Sequence, residues 1–146
     1  MTPVFCCGFE CGQLGTVGQH WNIFSGSPAI STSTVRSGAR SIRFNPSAAA
    51  SNIRSNSFTA SDKWVIRFYV YFASLPTADY DICFNTGANH SVAFKQSDSK
   101  IYAQNSNGIP GSTGVSVTTG QWYLIDFSID ATTVSPLIDV KVNGVA

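Results

Sequence analysis

The sequence is poor in charged residues and in long apolar runs. Charged residues make up 12% of the 146 positions and leave a net charge of +1, whereas a typical soluble domain carries about a quarter. Such a chain lacks the cationic surface on which binding to a phosphate backbone depends. Its apolar runs stay below ten residues, and a membrane-spanning helix needs about 20. We therefore expect neither a nucleic acid nor a membrane as partner.

Residues that favour solvent-facing helices are scarce, and so are the marks of a secretory signal. The chain has one Glu, one Met and four Lys against 20 Ser and 12 Thr, and no stretch of ten residues combines helical periodicity with caps. Residues 1–10 lack the basic and apolar regions of a signal peptide. Two alternatives follow, an extracellular protein whose signal was removed or a protein released by lysis, as virus particles are. The hydroxyl-rich composition favours a virion location, with an extracellular location as the alternative.

Two long segments alternate with the two-residue period of β-strands. In 64–72, WVIRFYVYF, the even-numbered residues are all apolar, while Arg67, Tyr69 and Tyr71 lie on the opposite face. In 121–130, QWYLIDFSID, the odd-numbered residues from Tyr123 to Ile129 share an apolar face. The opposite face of this second strand becomes polar toward Asp130. Both strands are predicted to lie on a core with one face outward.

Shorter strand-like segments with turn residues between them occur throughout the chain. Ser97-Asp98-Ser99 predicts a hairpin turn between two of them. About ten short strands and no helix indicate an all-β, antiparallel two-sheet sandwich or barrel. The shorter segments are 30–35, 40–45, 52–58, 80–85, 91–96, 100–104, 115–118 and 137–142.

The last strand is followed by Asn143-Gly144, the strongest short hairpin signal. Only Val145 and Ala146 come after it, too few for a returning strand. The expected sheet therefore has an incomplete C-terminal edge. Either the sequence is part of a longer polypeptide, which we favour, or another chain completes the edge.

Several segments, taken in order, resemble the concanavalin A-like (laminin-G-like) jelly-roll superfamily, of the kind found in phage virion proteins. The resemblance spans about Gly8 to Gly144, and its motifs gain specificity from their order and spacing. It implies a jelly-roll β-sandwich over residues 8–146 preceded by an N-terminal arm over residues 1–7, and a role in glycan binding or in the structure of phage particles. The motifs are GFECG at 8–12, Trp21, STVRSG at 33–38, ARSIRF at 39–44, the aromatic strand with ASLP at 73–76, GQWY at 120–123 with Asp126, and VKVNG at 140–144.

No candidate catalytic group emerges. The resemblance implies that a glycosidase with this fold would carry two glutamates and an aspartate on one strand, in the pattern Glu-x-Asp-x-x-Glu. Retaining hydrolysis needs two carboxylates about 5 Å apart. The single glutamate here is Glu10. Asp126 and Asp130 are interpreted as solvated carboxylates on the polar side of a sheet, and His20 and His90 as surface residues in turns. We expect a protein that is not an enzyme.

The four cysteines are Cys6, Cys7, Cys11 and Cys83. Their spacing does not match a zinc site, which needs two closely spaced pairs. A disulfide from Cys7 or Cys11 to Cys83 would tie the N-terminal segment to a mid-chain strand. A bond between chains through Cys6 or Cys7, or free buried thiols, remain as alternatives.

We expect no cofactor and no metal, with calcium as the alternative. Asp79, Asp81 and Asn85 are a local group of oxygen ligands. Calcium takes six to eight oxygens, so three side chains would need help from carbonyl groups and water.

Two main functional hypotheses remain. The first is a non-enzymatic virion component, either a capsid decoration or cement protein or a tail-associated protein, whose partners are other virion proteins and copies of itself. The second is a lectin-like module that binds a host-surface glycan; a cellular adhesion domain is a third alternative. For the tyrosines of the second hypothesis, packing under a loop is the competing interpretation. The candidate carbohydrate-binding residues are Tyr69, Tyr71, Tyr80, Asp81 and Asn85.

Overall fold

A computed structural model describes residues 21–44, 52–55, 62–85, 90–105, 113–132 and 136–145. Within these ranges the chain forms eleven strands and no helix, and every strand pairing is antiparallel. The all-β class and the antiparallel pairing expected from the sequence are therefore confirmed. The strands are β1 Trp21–Ser25, β2 Ala29–Ser31, β3 Ser41–Arg43, β4 Asn52–Ser55, β5 Lys63–Tyr71, β6 Tyr80–Asn85, β7 His90–Lys95, β8 Lys100–Gln104, β9 Val115–Ser116, β10 Trp122–Asp130 and β11 Leu137–Val142.

The chain divides into two compact units, Met1–Ala60 and Ser61–Ala146. In the first unit β1 pairs with β4, and β2 pairs with β3. The predicted N-terminal arm at residues 1–7 and the predicted start of the domain at residue 8 lie outside the described residues.

The second unit contains two larger sheets. One has the strand order β11-β10-β5, and the other has the order β6-β7-β8-β9. β5 and β10 pair along their whole length, from Lys63 opposite Asp130 to Tyr71 opposite Trp122. This long pairing fixes which side chains of the two strands lie side by side.

The alternation predicted for the two long strands is confirmed. On β10 the odd-numbered residues are buried, and on β5 the even-numbered residues Trp64, Ile66, Phe68 and Val70 pack against the core. The opposite side chains of both strands form the outer face of the three-stranded sheet. This outer face carries the candidate site.

Buried side chains of both sheets join in one hydrophobic cluster, which is compatible with a sandwich. Phe127 and Ile125 come from the three-stranded sheet, and Phe94, Val92 and Ile101 come from the four-stranded sheet. All five are fully buried, and burying a side chain of this size stabilises a fold by about 1.5–3 kcal/mol.

β7 is a deeply buried strand. It lies between β6 and β8, and its residues from His90 to Phe94 are all buried. The prediction that His90 is a surface residue in a turn was wrong, because His90 begins this central strand and is only 5% exposed. Its Nδ1 atom and the Nε2 atom of Gln104 are buried with no hydrogen-bond partner in the described part of the chain.

Two predicted turns are present. Residues 96–99 connect β7 to β8, with Ser99 at a φ of 56°. Asn143 and Gly144 have φ values of 52° and 83°, as a type I′ hairpin turn requires. The turn brings Val145 opposite Val142.

Candidate functional site

The structure separates the five candidate carbohydrate-binding residues into two groups. Tyr69 and Tyr71 lie on the outer face of β5, at one edge of the three-stranded sheet. Tyr80, Asp81 and Asn85 lie on β6, at one edge of the four-stranded sheet. Each group is brought together by its own strand and belongs to a different sheet.

The first group extends across two strands into an aromatic patch, made of Tyr69, Tyr71, Trp122 and Leu124. Tyr71 lies opposite Trp122, with ring centroids 5.3 Å apart and ring planes inclined by 48°. Tyr69 lies opposite Leu124 and is 40% exposed. Tyr71 and Trp122 are half-buried. Rings held on a firmly paired sheet provide a contact area that loses little conformational entropy on binding.

Next to the aromatic patch, cations of β5 pair with carboxylates of β10. Arg67 donates from Nε and Nη2 to the two carboxylate oxygens of Asp126, at 2.5 and 3.0 Å. Lys63 Nζ lies 2.8 Å from an oxygen of Asp130. The two-point contact orients Arg67 and Asp126 beside the rings, whereas a single exposed pair adds little stability.

These pairs hold both carboxylates in their ionised form. Hydrogen bonding to Arg67 lowers the pKa of Asp126. Hydrogen bonding to Lys63 and Thr132 lowers the pKa of Asp130 to about 2. The same contact with Asp126 raises the pKa of Arg67. At neutral pH the outer face therefore presents fixed charges and hydrogen-bonding groups around a row of aromatic rings.

The second group of candidates sits on a bulged strand. Asp81 is exposed and lies opposite Ala93, and the pairing with β7 is irregular between Asp81 and Cys83. Tyr80 is half-buried, and burial followed by the nearby charge of Asp81 raises the pKa of its phenol. For Asn85 the structure gives the backbone position, opposite His90 at the end of β6.

The calcium alternative involves Asp79, whose oxygens both already accept hydrogen bonds. One accepts from Lys95 Nζ at 3.0 Å, and the other accepts from the backbone N–H of Gln96 at 2.9 Å. These bonds, led by that from Gln96, lower the pKa of Asp79. Among the described residues, no three His, Cys, Asp or Glu side chains group in a way that would hold a metal ion.

Cys83, on β6, forms no disulfide with another residue of the described ranges. It packs against the core cluster, and burial raises its pKa to about 11. A thiol with so high a pKa is almost entirely protonated at neutral pH and reacts slowly. Its predicted disulfide partners, Cys7 and Cys11, lie outside the described residues, so that pairing stays a prediction.

Sequence reasoning missed half of the aromatic patch. Trp122 and Leu124 are apolar residues at outward positions of β10, and this was the available signal. What the sequence did not show is that β10 pairs with β5 in the register that sets Trp122 beside Tyr71 and Asp126 beside Arg67.

In the described ranges, no helix has the length and apolar character needed to cross a membrane. Comparison with family models, with curated proteins and with solved structures finds no match to this chain. The resemblance to the concanavalin A-like superfamily therefore remains a prediction based on the motifs quoted above.

Proposed function

We propose that the chain is a non-enzymatic interaction protein with a jelly-roll β-sandwich, and that it serves as a surface component of a phage particle. The low charge and the motif resemblance support this proposal. The observation that carries it is the outer face of the three-stranded sheet, which offers contact area. Its role on the particle is that of a capsid decoration, cement or tail-associated protein.

The composition of this outer face is typical of a protein–protein contact. Val65 is 54% exposed, Tyr69 is 40% exposed and Leu137 is 67% exposed, and all three are large apolar side chains. Charges lie between them, but on β5 and β10 they are joined in pairs. Exposed apolar side chains suit the core of an interface. Pairing the neighbouring charges with each other means that a partner covering them leaves no isolated charge buried.

The test is association with particles. Particles purified from lysates of the cells that encode the chain should contain the protein in a fixed ratio to the capsid protein, measured by quantitative mass spectrometry. Added recombinant protein should bind particles that lack it. Val65→Asp should weaken this binding, because it places an unpaired charge in the contact, and Ser116→Asp on β9 is the matched control. Absence of the protein from purified particles would contradict the proposal.

A second candidate function, carbohydrate binding, is favoured by the aromatic patch. Sugar rings stack on exposed aromatic side chains. Neighbouring charged groups accept hydrogen bonds from sugar hydroxyls or donate hydrogen bonds to them. Tyr71 and Trp122 supply the rings. Arg67 and Asp126 supply polar groups on the same face, beyond the intervening pair of Tyr69 and Leu124. The glycan would then belong to a host surface that the particle contacts, and an extracellular location of the protein is the alternative.

A glycan array separates the two candidate functions. The binding module should give a reproducible signal that Tyr71→Ala and Trp122→Ala abolish. Tyr102→Phe, on the four-stranded sheet, should leave the signal unchanged. An array with no signal, together with stable binding to particles, would favour the particle-surface component over the carbohydrate-binding module.

A further inference from the structure

The strand β11 has one edge that the described chain leaves almost unpaired. β11 pairs with β10 on one side. On its other side, in the part of the chain that the structure describes, only Val142 has a partner. Val142 donates its N–H to the carbonyl of Val145 at 2.7 Å and accepts the N–H of Val145 at 3.0 Å. A row of unpaired strand groups is a template for strand addition.

The contact between Val142 and Val145 shows which backbone groups face this edge. Backbone groups of a strand point to alternate sides from one residue to the next. Since both groups of Val142 point away from β10, those of Val140 and Ile138 do so too. The side chains of Val140 and Val142 are buried in the core, so a strand added here would extend the sheet in its own plane.

The outer face of β11 carries two charges of opposite sign, Asp139 and Lys141. They lie opposite Ser128 and Asp126 of β10. Asp126 is already held at both oxygens by Arg67, and among the described residues neither Asp139 nor Lys141 forms an ion pair. The charges of β5 and β10 form ion pairs with each other. Lys141 acts on Asp126 through its charge without forming an ion pair, so Asp139 and Lys141 can each still form one with another chain.

We propose that β11 pairs antiparallel with β11 of a second copy of this chain, with the two Val140 residues opposite each other. In this register Asp139 of each copy lies opposite Lys141 of the other, so the two edges are complementary in charge. Ile138 lies opposite Val142 on the core face. The contact is isologous, as a two-fold dimer requires.

Other registers are less favourable. A shift by two residues sets Asp139 opposite Asp139, and like charges directly opposite destabilise a strand pair. A shift by one residue sets buried side chains of one copy beside exposed side chains of the other. In the proposed register Val142 exchanges its bonds with Val145 for bonds with Ile138 of the second copy, and the bonds between the Val140 residues are additional.

This inference rests on the proposed function, because it names a second copy as one partner of the interaction protein. Its test uses purified protein and sedimentation equilibrium, with no particles present. We expect a reversible dimer. Asp139→Lys and Lys141→Asp should each raise the dimer dissociation constant about tenfold, since each turns two attractive cross-strand pairs into repulsive ones.

The double variant Asp139→Lys/Lys141→Asp should restore dimerisation, because the charges are complementary again after the exchange. Lys100→Asp on β8 is the matched control and should leave the dissociation constant unchanged. Thermal unfolding of each variant shows whether the monomer remains folded. A monomer at every concentration, or charge reversals that leave the dimer unchanged, would overturn the proposal.

Oxidative cross-linking tests the register. Antiparallel residues in a non-hydrogen-bonded pair have Cα atoms about 4.5 Å apart, within the range for a disulfide. The variant Asp139→Cys/Lys141→Cys should form a disulfide between positions 139 and 141 of different copies, identified by peptide mass spectrometry. Asp139→Cys alone should not link to itself, and if it does the register is wrong. If the protein binds particles but is monomeric at every concentration, the proposed dimer is contradicted and the proposed function is not.

Discussion

The ionisation of Asp130 depends strongly on its hydrogen-bond partners. It accepts hydrogen bonds from Lys63 and from the hydroxyl and N–H of Thr132. These bonds lower its pKa from an ordinary 3.8 to about 2. A carboxyl whose pKa is depressed in the folded state stabilises the fold above its unfolded pKa, and this contribution is lost as the pH falls through the folded pKa.

We therefore expect Asp130→Asn to be less stable than the wild type at neutral pH. The difference should shrink as the pH falls from 3.8 toward 2, because the wild-type carboxyl then becomes protonated as well. Urea unfolding followed by circular dichroism at several pH values measures the difference. A difference that stays constant over this pH range would show that the contribution of Asp130 does not depend on its charge. Ser128→Ala, on the same face, is the control without a titrating group.

Gly114 leaves room for the ring of Tyr102. A Cβ atom at position 114 would lie 2.2 Å from the ring atom Cζ, so Gly114→Ala must push the ring aside. That movement would break the hydrogen bond that the phenol donates to Asp98, which raises the pKa of Tyr102. We expect Gly114→Ala to lower the Tyr102 pKa toward its ordinary value and to destabilise the fold by about 1 kcal/mol. Absorbance titration measures this pKa, with Tyr102→Phe used to assign the signal, and an unchanged titration would contradict the displacement.

At the scale of elements, two neighbouring residues of the turn after β11 contribute to its stability in different ways. Asn143 accepts the N–H of Leu124 on its Oδ1 atom at 2.9 Å, and its own N–H donates to the Leu124 carbonyl at 2.8 Å. Gly144 has a φ of 83°, and a Cβ atom added to it would meet no other atom within 4 Å. Gly144→Ala should therefore cost about 1 kcal/mol through backbone strain alone. Thermal unfolding should rank Asn143→Gly, which loses only the side-chain bond, as more stable than Asn143→Ala, and the reverse order would contradict this division.

β10 supplies the centre of the core, and Phe127 is its largest fully buried residue. We expect Phe127→Ala to lower the free energy of unfolding by about 3–5 kcal/mol, because it removes buried area and leaves a cavity. Phe127 belongs to a cluster that contains both sheets of its unit, so signals from both sheets should be lost in one transition. Chemical unfolding followed by tryptophan fluorescence and by circular dichroism should give coincident curves. Separate transitions would show that parts of the chain unfold independently.

The long strands could be predicted from the sequence because alternation is a local signal. The predicted segments 64–72 and 121–130 correspond to β5 and β10 within one residue at each end. The shorter segments predicted at 80–85, 100–104 and 137–142 also correspond to β6, β8 and β11. The strands of the first unit were predicted less well. The segments predicted at 30–35 and 40–45 are only three residues long in β2 and β3, and β1 was missed. Such strands depend on the partners they pair with, which a local pattern does not contain.

The candidate site could be predicted only in part, for the same reason. Tyr69 and Tyr71 share a face because they are two residues apart on one strand, and the sequence shows this directly. The contact of Tyr71 with Trp122 depends on a pairing between residues about fifty positions apart in the chain. For His90 the local sequence pattern suggested the wrong structure. A polar residue next to Asn and Gly suggests a turn, but its strand is paired on both sides and buried.

For the whole molecule, the hydrophobic cluster determines which part of the chain should fold by itself. All residues of the described cluster fall between Trp64 and Val142, within the unit Ser61–Ala146. The bond from the Ala131 N–H to the Asp62 carbonyl, at 2.7 Å, lies within the same unit. Since the unit contains both of the larger sheets and the cluster they share, it has the burial that independent stability needs.

We expect a fragment of residues 61–146 to fold without the rest of the chain. It should give a far-ultraviolet circular dichroism spectrum dominated by β-structure and a single cooperative thermal transition, because its sheets bury their apolar faces against one another. Phe127→Ala in the fragment should lower the transition temperature. That decrease would show that the transition reports the unfolding of the native core. A fragment with an unfolded spectrum, or one whose gradual transition is insensitive to Phe127→Ala, would show that residues 1–60 are required to complete the fold.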